Sequence, residues 1–371
     1  MRAFRTTGPQ EPPRLVDVDV PRPGPGQVLV RVTGCGLCHS DFTMMRMPAE
    51  IGEALGWRTP FTLGHETAGH VVELGADVTA EHGAGTTAGA DAGAAAGGGA
   101  GATGGGVRPG DAVALVSPSS CGTCWYCARG LDASCPEGLA GRGYGRDGGL
   151  AEYVLVDGVR ALVPLRSLDP ATAGPLTDAG ATAFHAVRRA LPRVHPDGTA
   201  VVIGAGGLGA FAVQFLRALS GARVVAVDAN PARLDLAREL GADDAVPGVD
   251  DATAARIAEL TGGRGADAVL DFVGVDVTIA AGVAMVRPAG AFGLVGASGG
   301  RLRAPWFGGL PRDGEVFTFQ GSSIADVHEV VALAERGVVR NDVEVFPLDR
   351  VEEAYARLDK GDLRGRAVVQ P

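Results

Sequence analysis

Residues 200–228 constrain the fold more than any other run in the chain. An apolar strand, Ala200–Ile203, leads into Gly204-Ala205-Gly206-Gly207-Leu208-Gly209. Apolar residues then recur at 208, 211, 212, 215, 216 and 219, a full stripe at helical period, closed by Ser220-Gly221. A second apolar strand, Arg223–Asp228, follows, and Pro231–Leu240 reads as another helix with Pro at its start and Gly241 after its end. Further apolar strands are expected at Asp267–Asp271 and Ala291–Val295. Strand and helix alternating at this spacing predict a doubly wound parallel sheet.

The glycines have distinct duties in such a turn. Gly204 makes the bend, Gly206 lets a pyrophosphate approach the backbone, and Gly209 lets helix and strand pack closely. Gly207 and Leu208 open a helix whose unpaired N–H groups and positive end favour that pyrophosphate. Asp228 ends the next strand, 19 residues after Gly209, where a carboxylate can hold both ribose hydroxyls and repel a 2′-phosphate. Ala229 and Asn230 offer no cation, so the expected cofactor is NAD rather than NADP.

The chain before about residue 170 reads differently. Val28–Thr33, Ala68–Leu74, Ala112–Val116 and Ala151–Val156 are short apolar or alternating runs, with Pro-Gly turns at 23–24, 25–26 and 109–110. No helical period competes there. Residues 83–106 hold 11 Gly and 9 Ala among 24 positions, with no side chain able to build a core, and are expected to form a flexible loop insertion. After residue 311 come a strand at Glu315–Phe319, a helix at Ile324–Arg336, a strand at Glu344–Phe346, a helix at Val351–Lys360 and a strand at Arg366–Gln370. This terminal block is expected to complete the first domain. A length of 371 residues accommodates two domains.

Charge and targeting signals narrow the partners. A net charge of −10 argues against nucleic acid or an anionic membrane. Met1 to Thr7 lack the apolar core of a signal peptide, and no run of ~18 apolar residues could span a bilayer. A soluble cytoplasmic protein acting on a small molecule is the expectation. In a reducing compartment its six cysteines point to metal rather than disulfides.

Four of them form the most specific local pattern, Cys121-x2-Cys124-x2-Cys127-x7-Cys135. Four thiolates around a tetrahedral Zn²⁺ would fix a loop with too few apolar residues to fold by packing. All four positions are then filled by protein, which makes the site structural. A second cluster, Gly34-Cys35-Gly36-Leu37-Cys38-His39-Ser40-Asp41, follows the Val28–Thr33 strand and sets thiol, imidazole, hydroxyl and carboxylate on consecutive residues. A third, Leu63-Gly64-His65-Glu66-Thr67-Ala68-Gly69-His70, stands at the entry to a strand, where His65 could join Cys38 at a metal with Glu66 close by. His70, His82, His185, His195 and His328 carry no such signal.

In that order, Gly36 to Asp41, Gly64-His65-Glu66-x-x-Gly69, the four-cysteine loop and the glycine turn resemble the zinc-dependent medium-chain alcohol dehydrogenases, from Val28 to the C-terminus. Pro175-Leu176-Thr177-Asp178-Ala179-Gly180, with Asp where many relatives place Cys, is most similar to the bacterial tetrameric secondary-alcohol branch. The resemblance implies a GroES-like β-rich catalytic domain from 1–175 and 312–371, and a Rossmann cofactor domain at 176–311. It also implies two zinc ions per chain and a homotetramer or homodimer. It places a catalytic zinc on Cys38, His65 and Asp178, with Glu66 as an occasional ligand. A zinc so held lowers the pKa of a bound hydroxyl, and the resulting alkoxide gives hydride to NAD.

Ser40 fits the position that binds the substrate oxygen and passes on its proton, His39 and Arg366 fit positions facing the pyrophosphate, and Thr182 fits one packing on the nicotinamide. Phe42, Trp57 and Gln320 stand as pocket candidates by analogy; the first two favour an uncharged, moderately hydrophobic alcohol or ketone. Two positions depart from the pattern. Thr43 stands where many relatives end the proton relay with His, and Cys35 makes an unusual Cys-x-x-Cys pair with Cys38. The implied activity is reversible NAD-dependent oxidation of an alcohol, with a secondary alcohol foremost. The rival readings are a zinc dehydrogenase of a polyol, amino alcohol or formaldehyde adduct, and a non-catalytic NAD-binding redox sensor.

Overall fold

The structure is a computed structural model that describes residues 1–78, 106–250 and 252–371; apart from Gly106, the glycine–alanine insertion expected at 83–106 lies outside the described residues. Six strands form an all-parallel sheet in the spatial order Asp244–Pro247, Arg223–Asp228, Thr199–Ile203, Ala266–Asp271, Val286–Leu294, Glu315–Thr318. The winding reverses between Thr199–Ile203 and Ala266–Asp271, and a crevice opens at the carboxyl ends there. Ala200 to Ile203 are at most 1% exposed, as a central strand covered by helices on both faces must be. The stripe on Gly207–Leu219 buries Phe211, Ala212, Phe215 and Leu216 against that sheet.

The second sheet is mainly antiparallel. Its strands run Val343–Pro347, Arg366–Gln370, Val28–Gly36, Glu66–Leu74, Ala112–Leu115, Leu162–Pro164, and Tyr153–Val156 pairs with Val28–Gly36 off that path. One register sets the chemistry: Gly36 lies opposite Glu66, which brings the end of one strand beside the start of the other. A Cβ on Gly36 would stand 2.1 Å from Glu66 Oε2, so only glycine permits the approach.

The terminal block divides between the two sheets, which corrects the expectation that all of 312–371 completes the first domain. Glu315–Thr318 is the sixth strand of the parallel sheet, with Ala291 opposite Glu315 and Leu294 opposite Thr318. The Ile324–Glu335 helix packs on the Ala179–Ala190 helix beside it. Only Val343–Pro347, Val351–Lys360 and Arg366–Gln370 belong with the second, mainly antiparallel sheet and its core. A four-residue strand carries alternation but no label for its sheet, and pairing decides it.

Two short helices, Ser40–Met45 and Ala49–Ala54, stand where no helical period was legible. At six residues each they are too short to develop a stripe. An N-terminal hairpin of Arg2–Arg5 and Arg14–Asp17 also escaped the pattern. No helix among the described residues is long and apolar enough to cross a membrane.

Candidate active site and metal centres

A cleft of about 820 Å³ runs between the two sheets, walled on one side by Cys38, His39, Ser40 and Phe42 and on the other by the glycine turn and Asp228. Cys38 stands two residues beyond the Val28–Gly36 strand, and His65 immediately precedes the strand that pairs with it. Asp178 arrives from the other lobe, between the turn Gly174–Thr177 and the Ala179–Ala190 helix. These elements bring one donor atom each from Cys38, His65, Glu66 and Asp178 within 4.8 Å of one another. His65 Nε2 lies 3.4 Å from Asp178 Oδ2 and 3.4 Å from Ser40 Oγ.

The other imidazole nitrogen is held from behind. His65 Nδ1 is 3.1 Å from Asp41 Oδ1, close although not aligned as a linear hydrogen bond. Asp41 is fully buried; its Oδ2 accepts from Cys38 N at 3.0 Å and from the Tyr355 hydroxyl at 3.0 Å. Burial alone would depress the His65 pKa, but the charge of Asp41 and the close polar contacts with Asp178, Asp41 and Cys38 raise it well above the usual value. Asp41 and Tyr355 therefore brace the candidate ligand cluster, a role the sequence reading missed. The spacing Cys38-x-x-Asp41 was the available signal; Tyr355, 314 residues away from Asp41, gave none.

Glu66 and Arg366 form a buried ion pair through Oε1 and Nη2. Burial lifts the Glu66 carboxyl to about 7 against the opposing pull of Arg366. Glu66 Oε2 and Arg366 Nε are buried without a partner. Arg366 also lines the cleft beneath Gly207, where a Cβ would stand 2.6 Å from its Nη1. It thus lies between Glu66 and the start of the glycine-turn helix, toward the place a pyrophosphate contact requires.

Both donor sets fit the metal the sequence implied. Sulfur, nitrogen and oxygen donors converging beside an unpartnered carboxylate oxygen suit Zn²⁺. In the other loop, Cys121–Cys127, Cys124–Cys127 and Cys124–Cys135 Sγ separations are 3.9, 3.5 and 3.9 Å. A tetrahedron with ~2.3 Å Zn–S bonds has sulfur edges of about 3.8 Å. Cys121 N–H donates to Cys135 Sγ at 3.3 Å and Cys124 N–H to Cys121 Sγ at 3.3 Å; contacts with Thr123 and the second of these favour the thiolate of Cys121.

Gly204, Gly206, Gly207, Leu208 and Gly209 all line the cleft. A Cβ on Gly209 would meet Gly204 O at 1.9 Å, which explains the third glycine of the turn. Asp228 Oδ2 accepts from Ala205 N at 2.8 Å and Oδ1 from Asn230 N at 2.8 Å, so the carboxylate is fixed at the cleft edge. A cation does stand near it. Arg233, in the helix Pro231–Glu239, reaches back to 3.9 Å from Asp228 Oδ2 and lines the cleft, a cation that the reading of Ala229 and Asn230 alone did not take in. Helical geometry at 231–239 was the signal for it.

Other assigned residues sit in varied places. The Thr182 hydroxyl faces Asp178 Oδ1 at 3.5 Å. His39 and Thr43 line the cleft. Of the three pocket candidates only Phe42 shares the cleft with Cys38 and Ser40. Trp57 lines a neighbouring hollow of about 510 Å³, its Nε1 donating to Leu139 O at 2.9 Å and its ring edge-on to Phe61. Gln320 is exposed beyond the Glu315–Thr318 strand. Cys35 is a fully buried thiol 3.6 Å from Thr67 Oγ1, and burial pushes its pKa up to about 12.

Comparison with known proteins agrees with this geometry. Residues 24–167 match the family described as alcohol dehydrogenase GroES-like domain, and residues 207–336 the family described as zinc-binding dehydrogenase. An NAD-dependent alcohol dehydrogenase of Sulfolobus acidocaldarius is 35% identical, covering 97% of this chain and 96% of its own. D-arabinose 1-dehydrogenase (NADP(+)) of Saccharolobus solfataricus is 33% identical over 97% of this chain and 95% of its own. The crystal structure of the alcohol dehydrogenase from Aeropyrum pernix superposes with a TM-score of 0.86 at 33% identity, covering 100% of both chains. A GroES-like sheet, a dinucleotide-type parallel sheet and the converging Cys38, His65 and Asp178 thus belong to one lineage: the chain is a member of the zinc-binding medium-chain alcohol dehydrogenase family.

Proposed function

We propose that this chain is a zinc-dependent oxidoreductase that moves a hydride reversibly between a secondary alcohol and NAD. The observation that carries the reading is the shared cleft: Cys38 and Ser40 open onto the same space as the glycine turn and Asp228. Zinc would be held by Cys38, His65 and Asp178, with Glu66 in reserve, and a second zinc by Cys121, Cys124, Cys127 and Cys135. When bound, zinc supplies a Lewis acid for an alcohol oxygen and NAD supplies the hydride acceptor.

The remaining work falls to side chains. Cys38 and Asp178 together match the charge of a dication, and His65, which would give up a proton to ligate through Nε2, adds none, so the set stays electrophilic. Asp41 keeps His65 Nε2 turned toward the cluster. Ser40 Oγ, 3.4 Å from Nε2, is placed to accept the substrate hydroxyl proton. Thr43 lines the same cleft and is exposed, carrying a hydroxyl where an imidazole would end the relay. His39, Arg366 and Thr182 are assigned to the cofactor, and Phe42 walls the substrate space, with Trp57 and Gln320 outside it.

A second reading has specific support. The 33% relative named for D-arabinose and NADP, together with Arg233 beside Asp228, favours a polyhydroxylated substrate and a relaxed cofactor choice. Initial rates on zinc-counted protein with secondary alcohols, ketones and aldoses, each with both cofactors, separate the two. Turnover of aldoses alone would overturn the secondary-alcohol reading. The relatives named above are archaeal, so the bacterial branch rests on Asp178. Self-association is supported by Trp306 and Phe307, each 80% exposed beside a hollow of about 600 Å³ lined by Ile279, Val283 and Leu302. Light scattering of the native protein and of Trp306→Ser tests it, and a wild-type monomer would refute it.

A further inference from the structure

We propose that Asp132 is a positioning residue through which the four-cysteine loop sets the seat of Asp178. The inference rests on the two-metal reading above. It begins from an acidic side chain with no part in either ligand set. Asp132 lies three residues before Cys135, in the turn Asp132–Ser134, and is 2% exposed. Its Oδ2 accepts from Ile324 N at 3.1 Å, across 192 residues of sequence. Its Oδ1 takes Arg160 and, at 3.4 Å, Ser120 Oγ.

Ile324 is the first residue of the Ile324–Glu335 helix, whose opening N–H groups have no partner within the helix. Asp132 satisfies one of them, and its charge suits the positive end. The loop therefore holds the start of that helix from outside. Ser323 and Asp326 cap one another in the same turn, Ser323 Oγ accepting from Asp326 N at 3.1 Å and Asp326 Oδ2 from Ser323 N at 2.9 Å.

The same helix is clamped to the one that begins at the ligand. Asp326, 0% exposed, accepts from Arg188 Nη1 at 2.7 Å and pairs with His185 Nδ1 at 2.8 Å, both on Ala179–Ala190. At the other end, Val330 packs against Gly180, where a Cβ would stand 3.1 Å from its Cγ1. Gly180 is two residues after Asp178, whose carboxylate faces His65 Nε2. Charge-assisted hydrogen bonds at one end and close packing at the other make the two helices move together. A shift at Asp132 is thus delivered to the turn that presents Asp178.

A mere stabilising cap would lower the melting temperature and leave the catalytic metal as it was. The test therefore reads the metal. Cobalt is placed at Cys38, His65 and Asp178 with zinc kept on the four cysteines, in wild type, Asp132→Ala, Asp132→Asn and Gly180→Ala. Visible absorption, metal loss to a chelator, kcat and KM are recorded. Asp132→Ala should release the catalytic metal about tenfold faster, with shifted cobalt bands, about fivefold lower kcat and unchanged KM for NAD. Asp132→Asn, which keeps an acceptor for Ile324 N–H, should recover most of the loss.

Gly180→Ala disturbs the same helix pair without touching the loop and should shift the cobalt bands likewise. An Asp132→Ala protein with wild-type bands and release rate would overturn the proposal, whatever its melting temperature. Should Asp132→Ala fail to fold, unshifted bands in Gly180→Ala would overturn it. A wild-type chain that binds no metal at Cys38 would instead defeat the two-metal reading itself.

Discussion

Asp41 Oδ1 stands 3.1 Å from His65 Nδ1, and that contact decides which imidazole nitrogen faces Cys38 and Asp178. A buried carboxylate behind a ligating histidine fixes the ring and its tautomer. Asp41→Ala should weaken metal binding at this cluster by about 10–100-fold, read by zinc competition with a chelator, while the four-cysteine site keeps its metal. Unchanged affinity would remove Asp41 from the ligand support.

The four-cysteine loop has little apolar material of its own, so its metal should carry its stability. Cys124→Ser should cost about 3 kcal/mol or more and lower the thermal midpoint by ~5 °C or more, with one zinc fewer per chain. An unaltered midpoint would remove the structural assignment.

Asp228 and Arg233 oppose one another at the cofactor edge, 3.9 Å apart. Removing the carboxylate leaves the guanidinium to meet a 2′-phosphate. Asp228→Gly should raise the NADP-to-NAD ratio of kcat/KM about 100-fold, and adding Arg233→Ala should cancel most of that gain. Unchanged discrimination in Asp228→Gly would count against the ribose role.

Asp326 supplies a pH test. Burial would raise its carboxyl, but hydrogen bonds from His185 and Ser323 and the charge of His185 hold it below the usual 3.8. A depressed folded value contributes stability that is complete above the unfolded value and lost as pH falls through the folded one. Asp326→Asn should therefore be less stable than wild type by about 3 kcal/mol at neutral pH, and the gap should close below about pH 4. Denaturant midpoints across pH check this; a gap that persisted in acid would show that charge is not the source.

What was legible in the sequence follows from distance. Ala200–Ile203, the glycine turn and Asp228 were readable because strand burial, turn geometry and helical period all fall within thirty residues. Cys121 to Cys135 were readable because all four donors lie in one loop. The Glu66–Arg366 pair joins residues 300 apart, and local pattern cannot supply it. The Glu315–Thr318 strand was seen but sent to the wrong sheet, since four residues do not name a neighbour. Arg233 was missed because only Ala229 and Asn230 were read after Asp228, whereas the helix that starts at Pro231 turns the chain back and returns Arg233, five residues on, to 3.9 Å from Asp228.

The proposed activity depends on a zinc held by Cys38, His65 and Asp178. The direct measurement is NADH formation from a secondary alcohol on metal-counted protein, before and after a chelator strips the weaker of two zincs, and again after zinc is restored. The rate should fall to background with one zinc remaining on the four cysteines, and return with the second. In Asp178→Ala it should stay at background throughout. Full activity with that site stripped, or retention of both zincs by Asp178→Ala, would contradict this dependence.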